Sequence, residues 1–350
     1  MGPVDLRSDT LTMPTAEMRR AMAEAELGDD VFGEDPTVNR LQRRAAELLG
    51  KEDALFVTSG TMGNLLGVLS LARSGEEVIA DAESHVFLYE GAGAATLGGV
   101  QIRQVRTEAG VMAPEQVRGA VRPVDDVHQP VTAAVCVEDT HNLHGGVVWP
   151  LGALRAVRDV ASEHRLSVHM DGARMFNAAV ALGAPPAEVA ASSDTVTFCL
   201  SKGLGAPVGS VLCGPRDVID RARRWRKMVG GGWREAGVLA AAGLWALDHM
   251  VDRLAEDHAH ARTLAEGLAE MDGVRVDLDR VQTNIVYFEP LGMTAAEFTA
   301  ACRSRGVLGG AGGGGRVRFV THAGIGGGDV QLALEVCSEV LQGAASGVRG

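Results

Sequence analysis

Lys202 is the residue of this chain whose surroundings most clearly suggest chemistry. It follows the strand-like stretch 195–200 and enters a glycine-rich turn, 203–210, that carries no charged side chain. A lysine in poorly hydrated surroundings loses its proton easily, because burial disfavours the ammonium form. A neutral lysine can form a Schiff base with an aldehyde. The pattern therefore predicts a reactive lysine, and an ordinary surface lysine is the alternative.

Asp171 ends another apolar stretch, 31 residues before Lys202. At the carboxyl end of a parallel strand it would lie where open α/β sheets bind their ligands. A carboxylate there can hold the ring nitrogen of a pyridinium while the lysine binds an aldehyde. The pair therefore predicts a pyridoxal phosphate (PLP) site, with Lys202 in the Schiff base and Asp171 on the ring nitrogen. Taken alone, Asp171 fits a cap of the next helix equally well.

The turn formed by Ser59, Gly60 and Thr61 joins a short apolar strand to a helix. Free amides at a helix N-terminus bind phosphate, and the two hydroxyl groups can add hydrogen-bond donors. Strand–helix junctions without a ligand are more common. The nearby candidate Schiff-base lysine is what favours a phosphate site here.

His85 and two arginines complete the set of candidate site residues. His85 follows a predicted strand and could stack on an aromatic ring or act as a base, although a lone histidine is usually structural. Arg174 and Arg318 are candidate carboxylate clamps, because a guanidinium matches a carboxylate at two points. Arg316 fits a solvated strand edge better.

Strand-like and helical stretches alternate along most of the chain and must position these residues. Asp35 followed by Pro36 predicts a helix start, and that helix should end at Gly50. The alternation predicts an α/β fold, with a mostly parallel sheet wrapped by helices and a small α+β C-terminal domain. We assign residues 1–240, including the N-terminal arm, to the large domain and 241–350 to the small one. The glycine-rich run 309–315 predicts a mobile loop.

Composition narrows the class of protein. The chain has 350 residues, 46% of them hydrophobic, which is enough for a large core. A net charge of −12 without a basic block disfavours nucleic-acid binding. Five scattered cysteines, none in a C-x-x-C pair, fit buried thiols in a reducing compartment and argue against zinc binding by cysteine. No secretory leader or membrane-spanning run is visible, so we expect a cytoplasmic enzyme.

Motifs along nearly the whole chain are similar to those of the low-specificity L-threonine aldolases, which are PLP enzymes of fold type I, the aspartate-aminotransferase type. Several long motifs occur in the family's order, which makes a chance match negligible. They are DLRSDT at 5–10, GDDVFGEDPTVN at 28–39, SGTMGN at 59–64, DTHN at 139–142, HMDGAR at 169–174, SKGLGAPVGS at 201–210 and RWRKM at 224–228.

The resemblance implies roles for individual residues. Lys202 would form the Schiff base with PLP, Asp171 would hold the ring nitrogen and His85 would stack on the ring. The residues implied for the phosphate are Ser59, Gly60 and Thr61; those implied for the substrate carboxylate are Ser8, Arg174 and Arg318, with Arg174 also beside the cofactor.

Other implied residues involve the substrate hydroxyl group and a second subunit. His128 would approach the β-hydroxyl, and Lys227 and Arg234 would reach the phosphate of a neighbouring subunit in a dimer of dimers. Two features depart from the family pattern. Trp233 and Glu235 stand where methionine and glutamine are usual, and the glycine run 309–315 replaces a stretch that contains leucine and proline.

The expected reaction is reversible cleavage of L-threonine or L-allo-threonine, and of related β-hydroxy-α-amino acids, to glycine and an aldehyde. A β-eliminating lyase or a racemase on the same scaffold is the nearest alternative. A protein that binds PLP without chemistry is another, although it would not need the two arginines. His85, His128 or a phosphate-bound water could each be the base that takes the hydroxyl proton.

Overall fold

The computed structural model of the protein describes residues 2–347, and the side chains of 2–343. Strands and helices alternate through the first 214 residues. The strands are β1 (Val4–Asp5), β2 (Asp53–Val57), β3 (Glu77–Asp81), β4 (Gln101–Val105), β5 (Thr132–Glu138), β6 (Ser167–Asp171), β7 (Thr195–Cys199), β8 (Ser210–Gly214), β9 (Val274–Val276), β10 (Ile285–Pro290), β11 (Val307–Leu308), β12 (Gly310–Ala311) and β13 (Val317–Val320).

The helices lie on the faces of the sheets and between them. They are α1 (Ala16–Ala23), α2 (Pro36–Leu49), α3 (Gly60–Leu71), α4 (His85–Leu88), α5 (Gly93–Gly98), α6 (Pro114–Ala120), α7 (Leu151–Glu163), α8 (Met175–Leu182), α9 (Pro186–Ala190), α10 (Arg216–Met228), α11 (Gly237–His249), α12 (Leu254–Ala269), α13 (Ala295–Arg303) and α14 (Gly327–Gly347). Within the described part of the chain, none of them combines the length and apolarity that crossing a membrane requires.

Seven strands form the central sheet, in the order β2-β8-β7-β6-β5-β3-β4. β8 runs antiparallel to both of its neighbours, and the remaining neighbour pairs are parallel. This arrangement confirms the predicted α/β class with a mostly parallel sheet. The carboxyl ends of β3, β5 and β6 lie side by side, so that the residues that follow these strands meet at one edge.

Capping residues explain why α2 begins and ends as the sequence predicts. The Asp35 carboxylate accepts hydrogen bonds from the amides of Thr37 and Val38, and Pro36 occupies the first helical position. Gly50 ends the helix with a left-handed φ of 62°. Ser59 similarly caps α3 by accepting a hydrogen bond from the amide of Met62.

Two apolar cores hold the two parts of the molecule. The first surrounds the central sheet and extends to Leu254, and α11 packs against α1 and α2 within it. The predicted boundary at residue 240 therefore falls inside α11. The second core lies beneath the four-stranded antiparallel sheet β12-β13-β10-β9.

The first residues of the N-terminal arm pack in the second core. β1 pairs in parallel with β11, with Val4 opposite Val307. Val4 and Leu6 are buried in the second core. Apolar residues at positions 4 and 6 predict a short strand with one buried face. The local sequence does not predict that its partner strand is β11, about 300 residues later.

The glycine run 309–315 is more regular than the expected mobile loop. Gly310 and Ala311 form β12, and Gly310 lies opposite Arg318. A side chain at Gly309 would clash with the ring of Phe319, and a Cβ at Gly312 would lie 2.6 Å from the ring of Tyr287. Here the glycines allow close packing of one strand over two aromatic rings.

Candidate active site

Asp171 lies at the carboxyl end of β6, and its carboxylate is held from two sides. Oδ2 accepts a hydrogen bond from Nδ2 of Asn64 at 2.8 Å, and Oδ1 accepts one from the amide of Ala173 at 3.1 Å. His169 contacts the other end of the Asn64 amide, with 3.2 Å between Nε2 and Oδ1. The carboxylate is 2% exposed, so its orientation is set by these partners.

Lys202 lies half-buried in the turn that joins β7 to β8. Backbone hydrogen bonds from Ala206 to Leu200 and from Leu200 to Gly209, each 3.0 Å long, close this turn. Among the side chains that the structure describes, no hydrogen bond or ion pair involves Nζ of Lys202. Its charge helps to lower the pKa of Asp9, so the two groups are within electrostatic reach. The lysine is thus an uncommitted amine at the edge where Asp171 lies.

His85 begins α4 and is paired with a glutamate that sequence reasoning missed. Its Nδ1 lies 2.8 Å from Oε1 of Glu90, and its backbone amide donates to Glu138 at 2.6 Å. Nδ2 of Asn64 also donates to Glu90, so one amide links Glu90 to Asp171. The spacing between His85 and Glu90 matches no helical repeat, and nothing in the sequence marks Glu90 as a partner.

The buried acids around His85 determine the direction of its pKa shift. Burial favours the neutral imidazole, but the hydrogen bond to Glu90 and the charge of Asp171 outweigh it, and the pKa of His85 is raised. The pKa of Glu90 is raised as well, because burial and the nearby Asp171 charge outweigh its hydrogen bonds. His85 and Glu90 can therefore share a proton beside Asp171.

The two candidate clamp arginines have different environments. Arg174 is buried and binds Asp9 through Nε and Nη2 at 2.6 and 2.7 Å, while Nη1 donates to Asn142. Arg318 donates to the same Asn142 oxygen at 2.9 Å and to the carbonyl of Arg7 at 3.2 Å. Its Nε is buried without a hydrogen-bond partner among the described residues. Arg318 thus has a free donor for a substrate carboxylate, whereas Arg174 is engaged by Asp9.

Asp9 was also missed by sequence reasoning. Burial opposes its ionisation, but the charge and hydrogen bonds of Arg174 hold the pKa of this carboxyl well below its usual range. Asp9 follows Ser8, which caps a short helical turn by accepting a hydrogen bond from the amide of Thr10. The N-terminal arm thereby brings Asp9, the residue after Ser8, into contact with Arg174.

The start of α3 offers free donors for a phosphate. The amides of Gly60 and Thr61 have no acceptor among the described residues, as expected for the first turn of a helix. A Cβ at Gly60 would lie 2.8 Å from Sγ of Cys199, so only glycine allows this close approach. The hydroxyl of Ser210 is buried nearby without a partner. The free amides, the free lysine and the fixed Asp171 together fit a phosphorylated pyridine aldehyde such as PLP.

The structure of one chain does not bring His128 to this site. His128 lies on the loop between α6 and β5, with its side chain 88% exposed and bonded to Asp126. Arg122 of the same loop binds Glu77, the first residue of β3. The loop is therefore at the amino end of the sheet, about 20 Å from the carboxyl ends of these strands.

Lys227 and Arg234 are exposed on and after α10. Arg234 pairs with Asp29 at 2.7 Å. Gly231, between them, packs against Met62 in the first turn of α3. Neither cation contacts Ser59, Gly60 or Thr61 of the same chain within the described residues.

Comparisons with known proteins agree with a PLP site at the carboxyl edge of the central sheet. Residues 5–290 match the family model "Beta-eliminating lyase". The low-specificity L-threonine aldolase of Escherichia coli K12 is 45% identical over 91% of this chain and 93% of its own length. Low-specificity L-threonine aldolase 1 of Arabidopsis thaliana is 42% identical over 97% of both chains. The solved structure of Leishmania major threonine aldolase superposes with a TM-score of 0.82 at 20% identity, covering 97% of this chain and 100% of that one. The chain therefore belongs to the beta-eliminating lyase family and, within it, to the low-specificity L-threonine aldolases.

Proposed function

We propose that this protein cleaves L-threonine, L-allo-threonine and related β-hydroxy-α-amino acids to glycine and an aldehyde, reversibly and with PLP as cofactor. Membership of the threonine aldolase family supports the reaction. The observation that carries the proposal is the meeting of an uncommitted lysine, a fixed aspartate and the free donor of Arg318 at one edge of the sheet. PLP supplies, when bound, an electron-accepting ring that makes the bond between the α- and β-carbons cleavable.

Lys202 and Asp171 have distinct tasks in this proposal. Lys202 would hold the cofactor through its amine, at the aldehyde carbon. Asp171 holds a proton at the ring nitrogen, and Asn64 keeps its carboxylate in place. The free amides of Gly60 and Thr61, together with the Ser59 hydroxyl, bind the phosphate.

Arg318 would bind the substrate carboxylate and so orient the α-carbon of the substrate. Its guanidinium is positioned by Asn142, which also accepts a hydrogen bond from Arg174. Arg174 acts through these contacts, since Asp9 occupies two of its nitrogens. Ser8 lies between Arg7, whose carbonyl accepts a hydrogen bond from Arg318, and Asp9, which binds Arg174. We propose that its hydroxyl group donates to the same substrate carboxylate.

His85 is the base candidate that the chain itself places beside Asp171. An unprotonated imidazole there could accept the β-hydroxyl proton, and Glu90 would stabilise the resulting charge. A water bound to the phosphate could do the same. His128 could act only in the site of another subunit.

A second copy of the chain would account for the residues that lie outside the site. Val124 and Val127, which flank the His128 loop, are 80% and 93% exposed, as is typical of apolar side chains that a partner covers. We propose a homotetramer, a dimer of dimers, in which Lys227 and Arg234 reach the phosphate of a neighbouring subunit.

The five cysteines are free and buried, which supports a reducing, cytoplasmic location.

A product assay tests the reaction. The holoenzyme is incubated with L-threonine and with L-allo-threonine, and acetaldehyde, glycine, 2-oxobutyrate and ammonia are measured; L-serine is assayed in parallel for pyruvate. Acetaldehyde and glycine in equal amounts are expected. A keto acid with ammonia as the main products would instead identify a β-eliminating lyase, which the wider family name allows.

A further inference from the structure

A second cluster of ligand-type side chains lies beside the active site and takes no part in the proposed reaction. Asp81 ends β3, while His141 and His144 follow the neighbouring strand β5. One potential ligand atom from each of these three residues lies within 4.8 Å of the others, and all three residues are buried. Glu83, two residues after Asp81, is half exposed at the edge of the cluster.

The backbone holds the two imidazole rings in place. The amide of His141 donates to the carbonyl of Val147, and the amide of Gly146 donates back to His141. Gly110 approaches the His141 ring so closely that a Cβ there would lie 2.5 Å from it. The rings of His141 and His144 meet edge to face, with 4.6 Å between their centroids. These contacts hold the His141 ring, and the edge-to-face contact places the His144 ring beside it before any ligand is bound.

Both carboxylate oxygens of Asp81 accept hydrogen bonds, but a buried imidazole nitrogen of this cluster does not find a partner within the part of the chain that the structure describes. His144 is only 8% exposed, and its Nε2 has no hydrogen-bond partner among the described residues. Two carboxylate oxygens nevertheless lie close to that nitrogen, Oε2 of Glu83 at 3.5 Å and Oδ1 of Asp81 at 4.0 Å. Nε2 of His141 lies 3.2 Å from the same Asp81 oxygen. A buried nitrogen aimed between carboxylates without a bond to either needs an explanation.

Two of these three nitrogen–oxygen distances fit a small tetrahedral ion. Ligands about 2.0–2.1 Å from a zinc ion in a tetrahedral site lie about 3.3–3.5 Å from one another. Separations of 3.2 and 3.5 Å match this spacing, and the 4.0 Å pair would close by a small rotation of His144. Two imidazoles with two carboxylates suit zinc rather than calcium or magnesium, which prefer six or more oxygens.

We propose that Asp81, Glu83, His141 and His144 bind a divalent transition-metal ion of the zinc class. Four protein ligands leave no open position, so the ion is structural. Thr107 orients the Asp81 carboxylate, because its hydroxyl group donates a hydrogen bond to Oδ2 at 2.6 Å. The half-exposed Glu83 provides the route by which the ion enters.

Metal titration of the holoenzyme tests this proposal. The protein is dialysed against a chelator, and Zn²⁺ and Co²⁺ are then titrated by calorimetry and by difference absorption spectra. Native protein should bind about one ion per chain, gain thermal stability with Zn²⁺ and show the visible bands of tetrahedral Co²⁺. His144→Gln should weaken zinc binding by more than about 100-fold. Loss of a residue that only hydrogen-bonds to a ligand already lowers metal affinity by about 10- to 100-fold, and His144 is itself a ligand.

Matched variants separate the site from general metal binding. His164→Gln changes an exposed histidine at the end of α7 and should bind as the native protein does. Thr107→Val keeps every ligand and should weaken binding by about 10- to 100-fold. Failure of the native protein to bind, or equal binding by His144→Gln and His164→Gln, would overturn the proposal. If His144→Gln does not fold, Glu83→Gln is the deciding variant. A Glu83→Gln protein with native affinity for Zn²⁺ would contradict the proposed site, and a weaker affinity would support it.

Discussion

Lysine is rare in this chain, and the three lysines have clearly different surroundings. Nζ of Lys51 donates to the carbonyls of Ala190 and Ser193, so it ties β2 to the segment before β7. Lys227 is exposed on α10. Lys202 alone combines partial burial with a position beside Asp9 and the arginines. The choice of Schiff-base residue therefore rests on the surroundings of the lysine as well as on the resemblance.

Replacing Lys202 with alanine should abolish both turnover of L-threonine and the visible absorption band of the bound cofactor, because no other amine of residues 2–347 lies at this edge of the sheet. Lys51→Arg is the matched control and should retain the band, since arginine can still donate to the two carbonyls. Absorption spectra and acetaldehyde release measure both effects. A Lys202→Ala protein with full activity would contradict the assignment.

The pairing of His85 with Glu90 predicts a shift in the pH profile. If unprotonated His85 is the base, activity falls on the acid side as this residue takes up a proton. Glu90 raises the pKa of His85, so Glu90→Gln should lower this pKa and move the acid limb of kcat/KM to lower pH. Glu163→Gln, an exposed change on α7, should leave the profile unmoved. An unchanged limb in Glu90→Gln would exclude His85 as the titrating base.

At the level of elements, the strand β12 explains why glycine recurs between residues 309 and 315. Gly309 faces Phe319, and Gly312 lies against the ring of Tyr287, which the guanidinium of Arg316 covers with 4.5 Å between Cζ and the ring centroid. Arg318, on the next strand, is paired with Gly310. The small residues let this strand cover the aromatic layer that supports the carboxylate clamp.

Alanine substitutions along this run should therefore differ. Gly309→Ala should destabilise the protein by about 1–3 kcal/mol, because its methyl group meets the Phe319 ring, and should raise KM for L-threonine. Gly313→Ala has open space around it and no left-handed φ, so it should leave both quantities unchanged. Thermal or denaturant unfolding and steady-state kinetics measure the two effects. Equal behaviour of the two variants would contradict the packing role of β12.

The sequence predicts elements better than the contacts between distant segments. Asp35, Pro36 and Gly50 mark the ends of α2 because capping is a local interaction, and the strand that ends at Asp171 follows from its apolar pattern. The Asp9–Arg174 pair joins residues 165 apart, and no local pattern reports such a partner. The same holds for Glu90, whose role depends on how α3 and α4 meet at the sheet edge.

For the whole molecule, we expect active sites that two subunits complete together. Lys202→Ala lacks the amine, and Lys227→Ala lacks the cation that we propose for the neighbouring phosphate. Each variant alone should have little activity. Unfolding and refolding an equal mixture should restore about a quarter of native activity, since half of the dimers are mixed and each has one intact site.

Size-exclusion chromatography and activity after refolding measure this exchange. Refolding each variant separately is the control and should restore nothing. If the mixture forms oligomers of native size but stays as inactive as its components, the sites are not shared between subunits.

The pairing of β1 with β11 has a consequence for the order of events during protein synthesis. β1 leaves the ribosome about 300 residues before β11, so Val4 and Leu6 wait without their final partners while the central sheet forms. The carboxylate clamp takes Asp9 from one end of the chain and Arg318 from the other. Competence to bind substrate therefore arises only when translation is nearly complete, and a chain that stops between residues 254 and 318 would contain the whole first core but not Arg318.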